Sequence, residues 1–118
     1  MPTTPEGPHT LRSGCPVACS LDIVGDRWTL LIVRDLLAGK RRFGEFLESP
    51  ERIPTNILSD RLRRLQHERL VEALPYSQHP RRFEYSLSPE GRALGGTLAA
   101  LADWGEHHFP GTRRALRQ

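Results

Sequence analysis

The chain is poor in cysteine, nearly balanced in charge and without a long apolar run. Its 118 residues include two cysteines, Cys15 and Cys19, too few for the paired Cys-x-x-Cys pattern of a structural zinc site. The five histidines, His9, His67, His79, His107 and His108, show no metal-ligand spacing around them, so nothing in the pattern asks for a metal or a cofactor. The longest strongly apolar stretch lies around Trp28 to Val33. It is far short of the roughly 20 residues that a membrane helix needs, and no membrane is expected among the partners. Residues 1–14 are rich in Pro, Thr and Gly and lack an apolar h-region, which reads as a flexible arm rather than a secretory signal. A cytoplasmic protein with reduced thiols is therefore expected. There is no Gly-rich phosphate loop, no nucleophile and base at a telling spacing, and no carboxylate pair, so no catalytic residue is nominated and an enzyme is not expected.

What is present fits one folded domain. A chain of this length buries roughly two-thirds of the surface its unfolded form exposes, enough for a single core. Lys and Arg total 17 against 14 Asp and Glu, a formal charge of +3, which permits an anionic partner without requiring one. The expected division is a flexible arm over 1–14, a domain over 15–108 and a basic tail over 109–118.

Along the domain, Cys15-Pro16 looks like a helix start, because the N–H that proline lacks is unpaired at the first helical position anyway. Val17, Leu21 and Val24 fall on one stripe, Gly25 ends this helix, and Asp26 can cap the next. Residues 27–37 are apolar on most sides, interrupted by Thr29, Arg34 and Asp35, the pattern of a central helix packed on several faces. Lys40-Arg41-Arg42 can form a connector or a single edge strand, and Phe43 to Leu47 a short helix. Ser49 to Pro54 breaks the chain. A further helix then carries Leu58, Leu62 and Leu65 at i, i+4 and i+7. After Leu70 the period drops to two. VEALPY and RRFEYSL read as the arms of a hairpin around SQHP, and Pro75 and Pro80, on the two sides of the turn, suit edge pairing. Ser88-Pro89-Glu90 opens a last helix, expected to run unbroken to about His108. Helices followed by a two-stranded hairpin form the layout of a winged helix-turn-helix: mainly α, with a small β-hairpin wing.

On the helix carrying the leucines, advancing about 100° per residue places Leu62 and Leu65 within roughly 40° of Leu58. Asn56, Asp60 and Arg63 fall near the opposite pole, flanked by Ser59 and Arg64. Arg can pair with guanine, Asn with adenine, and Ser with either. The N-terminal turn, with Thr55, Asn56 and Ser59, is the part that would approach bases. Asp60 opposes phosphate and is expected to pair with Arg64 at i+4. The hairpin tip brings His79, Arg81 and Arg82 to where a wing touches phosphates, and Arg42 belongs to a third basic cluster.

These segments resemble the HxlR-type transcriptional regulators, relatives of the MarR group. The similarity runs from Cys15 to about Trp104, some three-quarters of the chain. It rests on Cys15-Pro16, Gly25 with Arg27-Trp28-Thr29, Arg42-Phe43 with Glu45, Leu58 with Arg61-Leu62 and Leu65, Leu70-Val71, and Glu84-Tyr85-Ser86-Leu87 before Gly91, in that order. The resemblance implies a homodimer that binds double-stranded, pseudo-palindromic operator DNA, with a recognition helix at Thr55 to Gln66 and a wing at Tyr76 to Arg82. It further implies dimerisation through the first and last helices, here by Val17 and Leu21 with Leu94, Leu98, Leu101 and Trp104. Small residues in the last helix, Gly95, Gly96 and Ala99 among them, would permit close helix approach. This chain has Pro54 where the family often has Ser or Ala, so Thr55 is expected to cap the recognition helix.

An N-cap thiol sits at the positive end of a helix dipole, which favours thiolate, and some members of the family use a cysteine at this position to sense oxidants or electrophiles. Cys15 is therefore a candidate sensor for an oxidant or small-molecule effector; the other reading is a small capping residue. Side chains at i and i+4 lie about 5 to 6 Å apart at Cβ, too far for an unstrained bridge between Cys15 and Cys19. The alternative function is a metal- or ligand-responsive binding module at the dimer interface, built on Cys15, His107 and His108.

Overall fold

A computed structural model describes residues 11–114. The elements run α1 (Pro16–Val24), α2 (Thr29–Leu37), α3 (Phe43–Leu47), α4 (Thr55–His67), β1 (Val71–Gln78), β2 (Arg81–Leu87), α5 (Pro89–Arg92) and α6 (Leu94–His108). Residues 1–10 of the expected arm and the last four of the expected tail lie outside the described residues. None of the described helices is long and apolar enough to cross a membrane.

The core forms where the apolar faces of α2, α3, α4 and the hairpin base meet. Ile32, Val33 and Leu36 of α2, Phe46 of α3, Leu58, Leu62 and Leu65 of α4, Val71 of β1 and Leu87 of β2 are buried together, with Ile53 from the preceding turn. Each large side chain of this kind contributes about 1.5 to 3 kcal/mol by leaving water. The leucine ridge read from the sequence is thus the inner face of α4. It also fixes, by elimination, which side of α4 faces out.

The helix starts refine the sequence expectations. Asp26 Oδ2 accepts the backbone N–H of Trp28 and Thr29 at 3.0 and 3.1 Å. Asp26 thus serves the start of α2 as expected, but from two residues before the N-cap position, which Trp28 holds, and the regular helix begins at Thr29 rather than Arg27. Thr55 does not cap α4. It is the first helical residue, the N-cap position belongs to Pro54, and no side-chain cap is made. The single last helix is also interrupted, at Ala93, whose ψ of −18 is close to 3₁₀ geometry and breaks the regular i to i−4 ladder.

Helix α4 ends in a turn that feeds β1 directly. Arg69 takes a left-handed φ of 63, while Arg69 N and Leu70 N donate to Gln66 O and Leu65 O at 3.0 and 2.9 Å, the two bonds of a Schellman motif. The hairpin is antiparallel, with Val71 opposite Leu87 and Pro75 opposite Phe83, and its register shifts between Pro75 and Ser77. Tyr76 is the extra residue of that bulge. The strand turns back at His79-Pro80, a cis peptide bond. Arg42 adds one isolated bridge to Glu84, so the basic connector does form a single edge contact.

Polar groups lock the turn between α3 and α4 onto α2. Asp35, buried within α2, accepts from Ser49 Oγ at 2.5 Å and from the Arg34 guanidinium at 2.9 Å. Arg34 continues to Glu51 through two contacts of 2.9 Å, and Lys40 donates to Ser49 at 2.7 Å. The hydrogen bonds from Arg34 hold the Glu51 carboxyl below its usual range, and the guanidinium of Arg34 is correspondingly raised. Arg34 and Asp35, which interrupt the apolar pattern of α2, thus fasten the turn of the helix-turn-helix.

Candidate nucleic-acid interface

Asn56 and Arg63 are exposed on α4, Thr55 is exposed at its first turn, and Ser59 is half-buried beside them. Asn56 and Arg63 lie opposite Leu58, Leu62 and Leu65, as the helical period requires, with Ser59 on their flank and Thr55 at the helix start. The Arg63 side chain is 73% exposed and only loosely paired with Asp60, at 3.7 Å. It is the most available guanidinium on the outer face of α4.

The neighbouring arginines of α4 make contacts within the chain. Arg61 Nε donates to Asp26 Oδ2 at 2.9 Å, and Arg64 Nη2 donates to the backbone carbonyl of Asp22 at 3.1 Å. Both tie α4 to the junction of α1 and α2. The expected pairing of Asp60 with Arg64 is not made: Asp60 contacts Arg61 and Arg63 instead, because Arg64 reaches back toward α1. Burial alone would raise the Asp26 carboxyl, but hydrogen bonds from the Thr29 hydroxyl, Arg61 and the Trp28 N–H outweigh it and lower its pKa to about 2. One carboxylate therefore caps α2 and holds α4. Sequence reasoning found the cap and missed the tie to Arg61, which sits 35 residues away.

The wing carries His79, Arg81 and Arg82, all exposed. Arg82 has no carboxylate partner among the described residues, and Arg81 lies over the Phe83 ring at 5.4 Å. Arg42 is engaged at the wing base. Its guanidinium meets Glu84 Oε2 at 3.1 Å and stacks on Tyr76 at 3.9 Å from the ring centroid. The backbone beneath it is held too, since Arg41 N and Arg42 N donate to Glu45 Oε1 at 2.7 and 2.8 Å and depress that carboxyl. Arg42, Arg81 and Arg82 line one cleft between the wing and the start of α3.

A helix with an outward Asn, Ser and Arg face, locked by a short turn to a preceding helix and followed by a basic hairpin, is a winged helix-turn-helix. The chain matches the family model HxlR-like helix-turn-helix over residues 23–113. This protein belongs to that family. The HTH-type transcriptional regulator Rv3095 of Mycobacterium tuberculosis, itself uncharacterized, is 42% identical over 97 residues, which are 82% of this chain and 61% of that relative. The chain thus spans less than two-thirds of that relative's length. Among solved structures, the transcription-factor candidate PA1607 shares 41% identity, with a TM-score of 0.77 over 91% of this chain and 75% of that one. The redox regulator HypR in its reduced form shares 32%, with a TM-score of 0.74 over 81% of this chain and 95% of that one.

In this HxlR-like chain the cysteines lie at the start of α1. Cys15 is exposed at the N-cap position and makes no side-chain cap bond. Its N–H donates to Ser13 Oγ at 3.0 Å. The Cys19 thiol donates to Ser13 O at 3.2 Å, and Arg12 pairs with Asp22 at 2.9 Å. Residues 12 and 13, the end of the expected arm, are thus fastened along α1. The start of the expected tail is held likewise: Arg114 N donates to Glu106 Oε2 at 2.5 Å and its guanidinium meets Asp103 and Ala99 O. Of the residues expected at a dimer interface, Val17, Leu21, Leu101 and Trp104 are more than half exposed. Leu94 and Leu98, by contrast, pack partly against the chain's own core. Among the described residues no group of three or more His, Cys, Asp or Glu side chains could hold a metal, so Cys15, His107 and His108 form no such cluster within one chain.

Proposed function

We propose that this protein is a DNA-binding transcriptional regulator that acts as a homodimer. In this reading Asn56, Ser59 and Arg63 read base edges in the major groove, with Thr55 near the adjoining phosphate. His79, Arg81 and Arg82 contact the backbone alongside, and Arg42 and Arg64 hold the wing and α4 in place. The observation that carries the reading is the outer face of α4, where Arg63 stands 73% exposed on a helix whose opposite face is wholly buried. The open apolar faces of α1 and α6 support dimerisation: Val17, Leu21, Leu101 and Trp104 are 65, 54, 52 and 58% exposed, and pairing of two subunits would cover them. The test is binding to the promoter DNA beside its own gene. The wild type should bind with an affinity that falls steeply with salt, and Arg63→Ala with Arg82→Ala should weaken it by at least tenfold. Unchanged affinity in the double variant would remove the proposed reading surfaces.

Cys15 carries a second, finer reading, as a sensor of oxidants or electrophiles. Its exposure at the N-cap of α1, beside the open face of Val17 and Leu21, supports this, as does the likeness to a redox regulator. Two Cys15 thiols from paired subunits would form one disulfide while diamide takes up the two electrons and two protons. Titration with diamide while following operator binding tests it: if Cys15→Ser responds as the wild type does, Cys15 is not the trigger.

A further inference from the structure

We propose that the cleft between the wing and the start of α3 is a binding site for a small planar aromatic anion. The cleft measures about 400 Å³, within the range of small-ligand pockets and suited to a one- or two-ring compound. Its walls combine two kinds of group that a phosphate seat alone would not need together. Three rings of the hairpin, Tyr76, Phe83 and Tyr85, line it together with Phe43 of α3 and with Arg42, Arg81 and Arg82.

Each ring is there for a local reason. The bulge between Pro75 and Ser77 redirects Tyr76, as bulges do, and sets its ring against Arg42 at 3.9 Å. Phe83 and Tyr85 alternate onto one face of β2, and Tyr85 is braced from behind by the edge of Phe46 at 6.3 Å. Burial raises the Tyr85 hydroxyl above its usual pKa, in keeping with a partly dry wall. The charges are unequal. Arg42 is neutralised by Glu84, and the nearby Glu45 carboxylate is taken up by two backbone N–H groups. Among the described residues no carboxylate pairs with Arg81 or Arg82. The cleft therefore offers two uncompensated cations beside flat apolar faces, which suits a carboxylate or sulfonate on an aromatic ring.

Arg81 and Arg82 are also proposed backbone contacts of the wing. An aromatic anion in the cleft occupies them and releases DNA. This consequence rests on the DNA-binding reading, whereas the site itself does not.

Calorimetric titration of the free, full chain at pH 7 with 2-naphthoate tests the site. The expected result is one molecule per chain, with affinity at least tenfold lower in Arg81→Gln/Arg82→Gln and in Tyr76→Leu, variants at exposed positions that should keep the wild-type circular dichroism and melting temperature. Cyclohexanecarboxylate and inorganic phosphate should bind at least tenfold more weakly. No saturable heat, equal binding of cyclohexanecarboxylate, equal binding of phosphate, or wild-type affinity in the double arginine variant each overturns the proposal. Fluorescence anisotropy on labelled operator DNA then reads the consequence. Release of DNA by 2-naphthoate is expected, and retention of DNA at saturating 2-naphthoate refutes the regulatory role. If no DNA is bound at any salt concentration while 2-naphthoate still binds, the DNA-binding reading fails and the site stands.

Discussion

Replacing Asp26 by Asn should cost stability in a way that depends on pH. The carboxylate accepts the N–H groups of Trp28 and Thr29, the Thr29 hydroxyl at 2.5 Å and Arg61 Nε at 2.9 Å. Its pKa drops from 3.8 to about 2. A tenfold change in acidity is worth about 1.4 kcal/mol, so the ionised group contributes at most about 2 kcal/mol once solvent screening of its exposed part is allowed for. Because the folded value lies below the unfolded one, that contribution is present in full above about pH 3.8 and is lost as pH falls through about 2. Asp26→Asn should therefore lower the free energy of unfolding by about 2 kcal/mol at pH 7, and the gap to the wild type should close on acidification. Asp26→Ala should cost roughly 1 kcal/mol more, since the cap goes as well. Urea denaturation at fixed protein concentration, repeated from about pH 7 to about pH 2.5, measures both. Glu45 and Glu51 are also lowered, but they titrate in both proteins, so the difference between the two profiles isolates Asp26. Profiles that fall in parallel would refute the reasoning.

The same geometry separates two adjacent arginines. Arg63→Ala should weaken operator binding by about 1–3 kcal/mol and relax sequence preference at the base pair it reads while leaving the melting temperature unchanged; Arg64→Ala, which loses the bond to Asp22 O, should lower the melting temperature more than Arg63→Ala does. Gly91→Ala should destabilise by about 2 kcal/mol or more, because the added Cβ would stand 2.2 Å from Leu70 O, an overpacked contact with backbone; chemical denaturation reads it. Arg69→Gly should stabilise by about 1 kcal/mol in the same assay, since Arg69 holds a left-handed φ that costs a residue with a Cβ about that much. Trp104→Glu should shift the proposed dimer to monomer in analytical ultracentrifugation with the helical content unchanged, because the ring is 58% exposed, stacks on His108 and meets Phe109 edge-on.

Much of the fold was legible because it follows from local rules. The leucine spacing in α4, the period of two in RRFEYSL and the Ser88-Pro89 start each depend on neighbours a few residues away, and each stands where expected. Asn56 and Arg63 were placed on the outer face by the period alone. The cap of α4 was misread, since Pro54 occupies the N-cap and leaves Thr55 inside the first turn.

The sequence by itself determined the order of elements, the inner and outer faces of α4 and the basic character of the wing, because helical and strand periods translate composition into direction. Only the tertiary structure decided which charges are free. Whether an arginine stands free or braces the protein depends on partners that are distant in the chain: Arg61 meets Asp26 and Arg42 meets Glu84, while Arg64 takes the carbonyl of Asp22. Tertiary packing also divided the last helix, turning Leu94 and Leu98 toward the core and leaving Leu101 and Trp104 open. A stripe of apolar residues specifies that a helix face will be covered, but its curvature and the neighbouring elements determine by what.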